Sequence, residues 1–398
     1  MDTGMNPNRL NHWARKPLRI VLRLWFLAAL VCAFALAVSD ALLSTGRPEL
    51  LRYASFLAPL DSRIHWILAG VDPTRAPTHL ERIRELSPVD ARIRIQDALI
   101  AEQRGDLAAA ERELLEAARL DRTFLPRWTL INFYFRRQRW PEFWEFSRSA
   151  ASLYRGDLSG VFRLCLRIEP DPLTILRKLE ATEAGARLDL LRVLTAAENY
   201  SAAGRIAPMV ANDGLPDSRD LLLETCHQAG VANQAEAAVE LWNALVQHKR
   251  FAGVPLRPKE GVSLNNGTFE RAPTGACFDW KPARMEFIRI QSLRPQGLAI
   301  ELSGRQSDTE ALLEHWLPLV PNSRYRLSWT ATEALKANSS PLEWWVDGEA
   351  LAILSTKEAV FDSGSRTIVR LYLTTRRKPG KIKPEGIVEI RNVTLRML

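Results

Sequence analysis

The stretch "SLNNGTFERAPTGACFDW", Ser263–Trp280, decides how the chain is divided. It carries an Asn-Asn-Gly turn, a proline and a second glycine, and no apolar stripe at helical spacing. Before it the chain reads as helix upon helix. After it the hydrophobic period changes from 3.6 towards 2. "RMEFIRIQS", "GLAIELSG", "SRYRLSWTA", "LEWWVDG", "TIVRLYLTT" and "GIVEIRNVTLRML" are short alternating segments separated by turn residues, the pattern of an antiparallel β-sandwich. The stretch thus opens a second domain, expected at 264–398. A linker at 251–263, with two prolines, two glycines and no helical period, precedes it.

The chain has 398 residues, 46% of them hydrophobic, enough for two domains with ample cores. A net charge of +8 permits an anionic partner, but the charge is spread thinly and commits to none. No nucleic-acid partner is expected.

At the other end, Asn8–Arg23 carries Arg9, Arg15, Lys16, Arg19 and Arg23 without an acid, and Leu24–Val38 follows without any charge. Extended back to Leu18, with Arg23 snorkelling to the head groups, the apolar segment reaches the roughly 20 residues that cross a bilayer. It reads as an anchor at 18–40 behind a basic cytoplasmic segment at 1–17. The positive flank places everything after Asp40 on the exported side, so a single-pass protein of a bacterial inner membrane with a periplasmic bulk is expected. A cleaved signal peptide is the competing reading, given the small residues near Ala35 and Ala37. Val31 before Cys32 argues against lipidation. The four cysteines, Cys32, Cys165, Cys226 and Cys277, form no Cys-x-x-Cys pair. An exported chain could pair Cys165 with Cys226, although two buried thiols between helices are the simpler expectation.

Residues 41–250 follow helical patterns. In Ala98–Asp121 a Gly-Asp turn separates two amphipathic stretches, and Leu107, Ala110, Leu114, Ala117 and Leu120 recur at spacings of three and four. Gly105 at the turn and the small Ala110 and Ala117 on the second helix resemble the tetratricopeptide repeat, whose unit is about 34 residues. A next unit from Leu125 places Trp128, Phe135 and Ala151 at large and small positions of that repeat. Gly230–Gln247 repeats the pattern through Ala237, Leu241 and Ala244, while Glu169–Asn212 is helical but degenerate. The resemblance implies stacked hairpins that bind protein partners. The aromatic run Trp128–Phe146 reads as packing between hairpins, with Arg136, Arg137 and Arg139 in a solvated loop.

The second domain resembles jelly-roll carbohydrate-binding modules of families 4 and 9, and more broadly galactose-binding-like sandwiches. Asn266, Phe269 and Glu270 match the start of their first strand. Phe278, Asp279 and Trp280 match the Phe-x-Trp after it, and Trp316–Ala331 looks like their central strand. The resemblance implies a glycan ligand and, in some relatives, a structural calcium near the Glu270 position. Here the closing strand offers Arg391 and Asn392 where an acid is expected, so Glu270 is a weak metal candidate and no cofactor is expected. Phe269, Tyr325 and Trp329 read as core. The adjacent Trp344 and Trp345 point to opposite faces of a strand, and Trp345, sharing its face with Glu343 and Asp347, is the outward one. Trp345 and Glu343, with Arg376, Arg377 and Lys378 on the turn before the last strand, are the glycan-binding candidates.

No Gly-rich phosphate loop, His-Glu-x-x-His, Gly-x-Ser-x-Gly or dinucleotide fingerprint is present, and the six histidines are scattered. The expected fold is multidomain α plus β: a transmembrane helix, a tetratricopeptide-like α-solenoid and a C-terminal jelly roll. The expected function is a non-catalytic envelope scaffold, binding proteins through its helices and a polysaccharide through its head, in exopolysaccharide assembly or export. The alternative is a protein–protein adaptor whose sandwich has no sugar site. Architecture suggests that process; no site does.

Overall fold

The computed structural model describes residues 10–45, 47–153, 156–355 and 357–398. Residues 1–9 of the expected basic segment lie outside the described residues. The chain divides into two compact units, Met1–Arg139 and Trp140–Leu398.

The first unit is helical. α1 (Leu10–Ser44) contains one stretch, Val21–Ser44, with a mean hydropathy of 2.4, long and apolar enough to cross a membrane. Its side chains from Val21 to Phe34 are exposed. The helix does not stop at the end of the apolar run. Its last turns enter a small core in which Leu42 and Leu43 pack against Leu51, Ala54, Ala58, Ile64 and Leu68. Those residues come from α2 (Pro48–Leu57), α3 (Ser62–Val71) and the turn between them.

α4 (Ala76–Leu86) pairs with α3, and α5 (Ala91–Gln103) with α6 (Leu107–Leu120). Asp90 and Asp106 cap α5 and α6, accepting from the backbone N–H groups of Arg92 and Ala109. Ala110, Leu114 and Ala117 are buried on the inner face of α6, so the predicted hairpin forms in the tetratricopeptide-like manner. α7 (Phe124–Arg136) packs on both and buries Phe133 and Tyr134. The arginines expected in a solvated loop stay partly exposed around the turn after α7, and they also fasten this unit. Arg136 and Arg137 both reach Glu102, at 2.8 and 3.1 Å, and Arg139 reaches Glu111 at 2.7 Å. Acids on the preceding hairpin, invisible to a local reading, draw them in.

The second unit begins with α8 (Trp140–Ala151), α9 (Ser159–Leu166), α10 (Pro172–Leu179), α11 (Ala184–Ala196), α12 (Tyr200–Asp213), α13 (Ser218–Val231) and α14 (Ala235–Gln247). α8 packs on α10 and α9 on α11, α12 packs against both α13 and α14, and Ala237, Leu241 and Ala244 face inward on α14. A 3₁₀ turn at Pro258–Glu260 follows.

Among the described residues eleven strands come next: β1 (Lys281–Pro282), β2 (Ile288–Ser292), β3 (Leu298–Ser303), β4 (Thr309–Pro318), β5 (Arg324–Leu335), β6 (Leu342–Val346), β7 (Glu349–Ala350), β8 (Ala352–Ser355), β9 (Glu358–Asp362), β10 (Ile368–Arg376) and β11 (Glu385–Met397). They form two sheets, ordered β1-β4-β10-β6-β7 and β2-β3-β11-β5-β9-β8, antiparallel throughout. Phe269, Trp280 and Tyr325 are buried between them, together with Leu298, Leu327, Leu371 and Val388.

The opening stretch does not form the first strand its resemblance implies. Asn266 and Phe269 have φ near +53°, the left-handed region that interrupts a strand. The segment instead ties the sandwich to the helices. Asp279, 5% exposed, accepts from the N–H and hydroxyl of Thr274 at 2.9 and 2.7 Å. The Asn265 side chain accepts from the Val254 N–H at 3.1 Å. Gly267 lies so close to the Val393 carbonyl of β11 that a Cβ there would collide with backbone.

Around this knot, Trp242 of α14 is fully buried, edge-on to Phe278 at 6.0 Å. Asn243 exchanges two hydrogen bonds with the Leu256 backbone. Cys226 of α13 is joined to Cys277 by a disulfide, which corrects the expected pairing. Cys226 is neither a free thiol nor a partner of Cys165. Cys165 stays a buried thiol, and burial pushes its pKa up to about 12.

Gly230 of α13 meets the Trp316 ring of β4, and a Cβ at this position would overlap it. Gly230→Ala is therefore expected to destabilise the protein by about 1–3 kcal/mol, despite alanine's advantage of about 1 kcal/mol inside a helix. Urea unfolding of the full chain measures it, and a stabilised variant would mean that the helix and sandwich do not touch there.

Candidate ligand-binding face and cleft of the sandwich

β6 pairs with β10 so that Trp345 lies opposite Tyr372 and Trp344 opposite Leu373. Strand alternation sends Trp344 into the core, where it is 4% exposed, and turns Trp345 outward, half-buried. Four of the five candidate residues come together on this outward face. The Arg376 guanidinium lies over the Trp345 ring, 5.4 Å from its centroid. Lys378 pairs with Glu343 at 2.7 Å, and the Glu343 side chain is only 14% exposed. Arg377 turns away, towards Asp308 at 3.9 Å and the Lys381 carbonyl at 3.2 Å. The face thus carries an indole ring roofed by one cation beside an internally neutralised ion pair.

Across the sheet Trp316 is covered by the helices. His227 lies 5.2 Å away, ring to ring, and the Arg370 guanidinium lies over the Trp316 ring, 5.0 Å from its centroid. One edge of the face is therefore occupied by α13, and the Trp345 end is its open part.

A second concavity lies between the sheets. β5 pairs with β9 only through Arg324–Ser328, so its second half lines an uncovered inter-sheet space. The resulting cleft of about 500 Å³ is bounded by Trp329, Trp344, Leu342 and Ile353, with Glu333 and Lys357 among the polar groups. This volume falls in the range typical of small-molecule sites. Trp329, expected in the core, is half-buried here and lies 5.7 Å from Trp344. Desolvation raises the Glu333 carboxyl above the usual carboxylate range. The indole N–H of Trp344 is buried and has no hydrogen-bond partner among the described residues. The unequal lengths of β5 and β9 were not legible from alternation alone, which is why Glu333 and Lys357 escaped the sequence reading.

Glu270 is exposed. Arg391 pairs with Glu389 at 2.9 Å and Asn392 accepts from Gln296 at 3.2 Å. Among the described residues no group of three His, Cys, Asp or Glu could hold a metal ion.

His315 of β4 lies under the opening stretch, fully buried. Its Nε2–H donates to the Asn265 carbonyl at 3.3 Å, and its ring meets Trp280 edge-on at 4.6 Å. Desolvation holds its pKa down to about 4, against the pull of the nearby Asp279. The imidazole is thus a neutral structural group at ordinary pH.

No family model matches the chain, and no curated protein matches it. Among solved structures it is similar to one described as a functional characterization of Pseudomonas aeruginosa pilF, at 16% identity and a TM-score of 0.25. That alignment covers 55% of this chain and 92% of the other. It is also similar to the TPR domain of P58(IPK), at 12% identity and a TM-score of 0.16, covering 55% and 84%. Scores this low carry no argument, and the reading of the helices rests on their own packing.

Proposed function

We propose that the chain is a non-catalytic scaffold held in a bacterial inner membrane by α1, with its helical hairpins and sandwich on the exported side. In this reading the hairpins bind protein partners and the open face around Trp345 binds a polysaccharide during exopolysaccharide assembly or export. The observation that carries the anchored reading is the continuity of α1. The apolar helix runs without a break into the core of α2 and α3, so cleavage near Ala37 would cut one continuous helix just ahead of Ser39, Leu42 and Leu43, which pack there. The Cys226–Cys277 bond supports export, since such bonds persist in oxidising compartments.

The test is affinity capture of the membrane-extracted full chain from its host, retaining both protein and glycan, alongside a glycan array probed with the same protein. Recovery of glycosyltransferases or export components with polysaccharide, and array binding lost in Trp345→Ala with thermal stability unchanged, are the expected results. A second reading, an adaptor whose sandwich has no sugar site, is favoured by the Arg376 roof and the Glu343–Lys378 pair that cover the face. It predicts a blank array and capture of envelope proteins without glycan.

A further inference from the structure

The core shared by α1 and α2 sets the height of α2 against any bilayer that α1 crosses. Ser39 Oγ donates to the Ala54 carbonyl at 3.3 Å. Pro48 follows Ser44 by four residues, yet Ala54 lies beside Ser39, so α2 folds back along α1 towards the apolar run. At about 1.5 Å per residue, Ser39 stands about 24 Å along the helix from Arg23. The hydrocarbon core of a bilayer is about 30 Å thick. Charged groups mark the same limit on the far side, where Asp40 pairs with Arg63 at 3.2 Å. Ala54 is thereby held at the boundary between acyl chains and head groups, and the residues just after it lie at that level.

There three large apolar side chains stand strongly exposed. Phe56 is 85% exposed, Leu60 75% and Tyr53 66%. Left in water, these groups would forgo burial worth about 1.5–3 kcal/mol for a full-sized apolar side chain. Arg47 and Arg52 are exposed on the same segment, one at the start of α2 and one within it. Aromatic rings and arginines together are the side chains that settle at a membrane interface.

We propose that α2 and the turn to Leu60 form a foot lying in the interface of the bilayer that α1 spans, with Tyr53, Phe56 and Leu60 entering the acyl boundary and Arg47 and Arg52 meeting lipid phosphates. This rests on the anchored reading. A lipid occupant is favoured over a protein because the patch is continuous with the span. Three side chains also fall short of the roughly 1,000 Å² that a stable protein interface buries. The foot gives the anchor a second contact point, so the first hairpin is held at a fixed orientation to the membrane instead of swivelling on one helix.

The test uses the full chain carrying Cys32→Ser, reconstituted in vesicles of phosphatidylcholine and phosphatidylglycerol. An environment-sensitive nitrobenzoxadiazole dye is attached in turn through Val31→Cys in the span, Phe56→Cys in the foot and Arg104→Cys on the α5–α6 turn. Phe56 is so exposed that its replacement leaves the fold intact, and Tyr53→Cys provides a second foot position. The expected result is blue-shifted emission at 31 and 56, quenched by nitroxide lipids. Position 56 should respond most to a nitroxide near the lipid carbonyl, and position 104 should not respond. If 56 behaves like 104 while 31 is quenched, the foot is overturned and the anchor stands. A blue shift at 56 without lipid quenching also overturns it, since a protein surface would then cover the patch. If 31 is unquenched, the anchored reading itself fails.

Discussion

Replacing Cys226 and Cys277 together with alanine is expected to lower the stability of the full chain by about 2–4 kcal/mol. The bond joins residues 51 apart in sequence and closes a loop that runs through α14, the 3₁₀ turn and the stretch around Asn265. Opening it releases that loop in the unfolded chain. Both sulfurs are buried, Cys226 completely and Cys277 at 5% exposure, so alanine also leaves small cavities. Chemical denaturation of the chain and its variant measures the difference. Thiol alkylation of the unfolded, unreduced chain provides a check, since Cys32 and Cys165 alone are expected to react. A variant as stable as the parent would show that the sandwich is held on α13 by packing alone.

The second large effect is on acid stability. The unfolded pKa of histidine is about 6.5, whereas buried His315 titrates near 4. Between those values the unfolded chain binds the proton and the folded chain does not, so stability falls as pH drops from 6.5 towards 4. The gap of about 2.5 units corresponds to roughly 3 kcal/mol. Unfolding free energies at pH 7 and pH 4 should therefore differ by that amount from this site. The difference should shrink by the same amount in His315→Gln, which keeps a donor for the Asn265 carbonyl. An unchanged pH dependence in the variant would mean that His315 is solvated or charged in the folded protein.

The division between helix and sheet was legible because the hydrophobic period itself changes after Ser263, and the strand around Trp344 and Trp345 was legible because adjacent residues must face opposite ways. β4 was not. "TEALLEHWLP" is rich in Glu, Ala and Leu, residues that favour helix, and its extended form is imposed by pairing with β1 and β10. The disulfide was hidden for a related reason. Cys226 sits on a helix and Cys277 in an irregular stretch, and spacing alone does not choose among cysteines.

At the candidate face, the residues could be named but their arrangement could not. That Arg376 roofs Trp345 depends on the β6–β10 register, and that Arg377 turns away depends on Asp308, which stands just before β4. Asn266, Phe269 and Glu270 match the start of a first strand in sequence, whereas the left-handed Asn266 and Phe269 and the buried Asp279 build the joint between helices and sandwich.

The most direct test of an anchored, exported scaffold is mass spectrometry of the intact protein extracted from its host membrane after trapping free thiols. The account predicts a chain that retains the residues before Ser39, with Cys226 and Cys277 linked and untouched by the trapping reagent. A chain beginning near Ala37, or one with Cys226 and Cys277 both alkylated, would contradict the anchor or the export respectively.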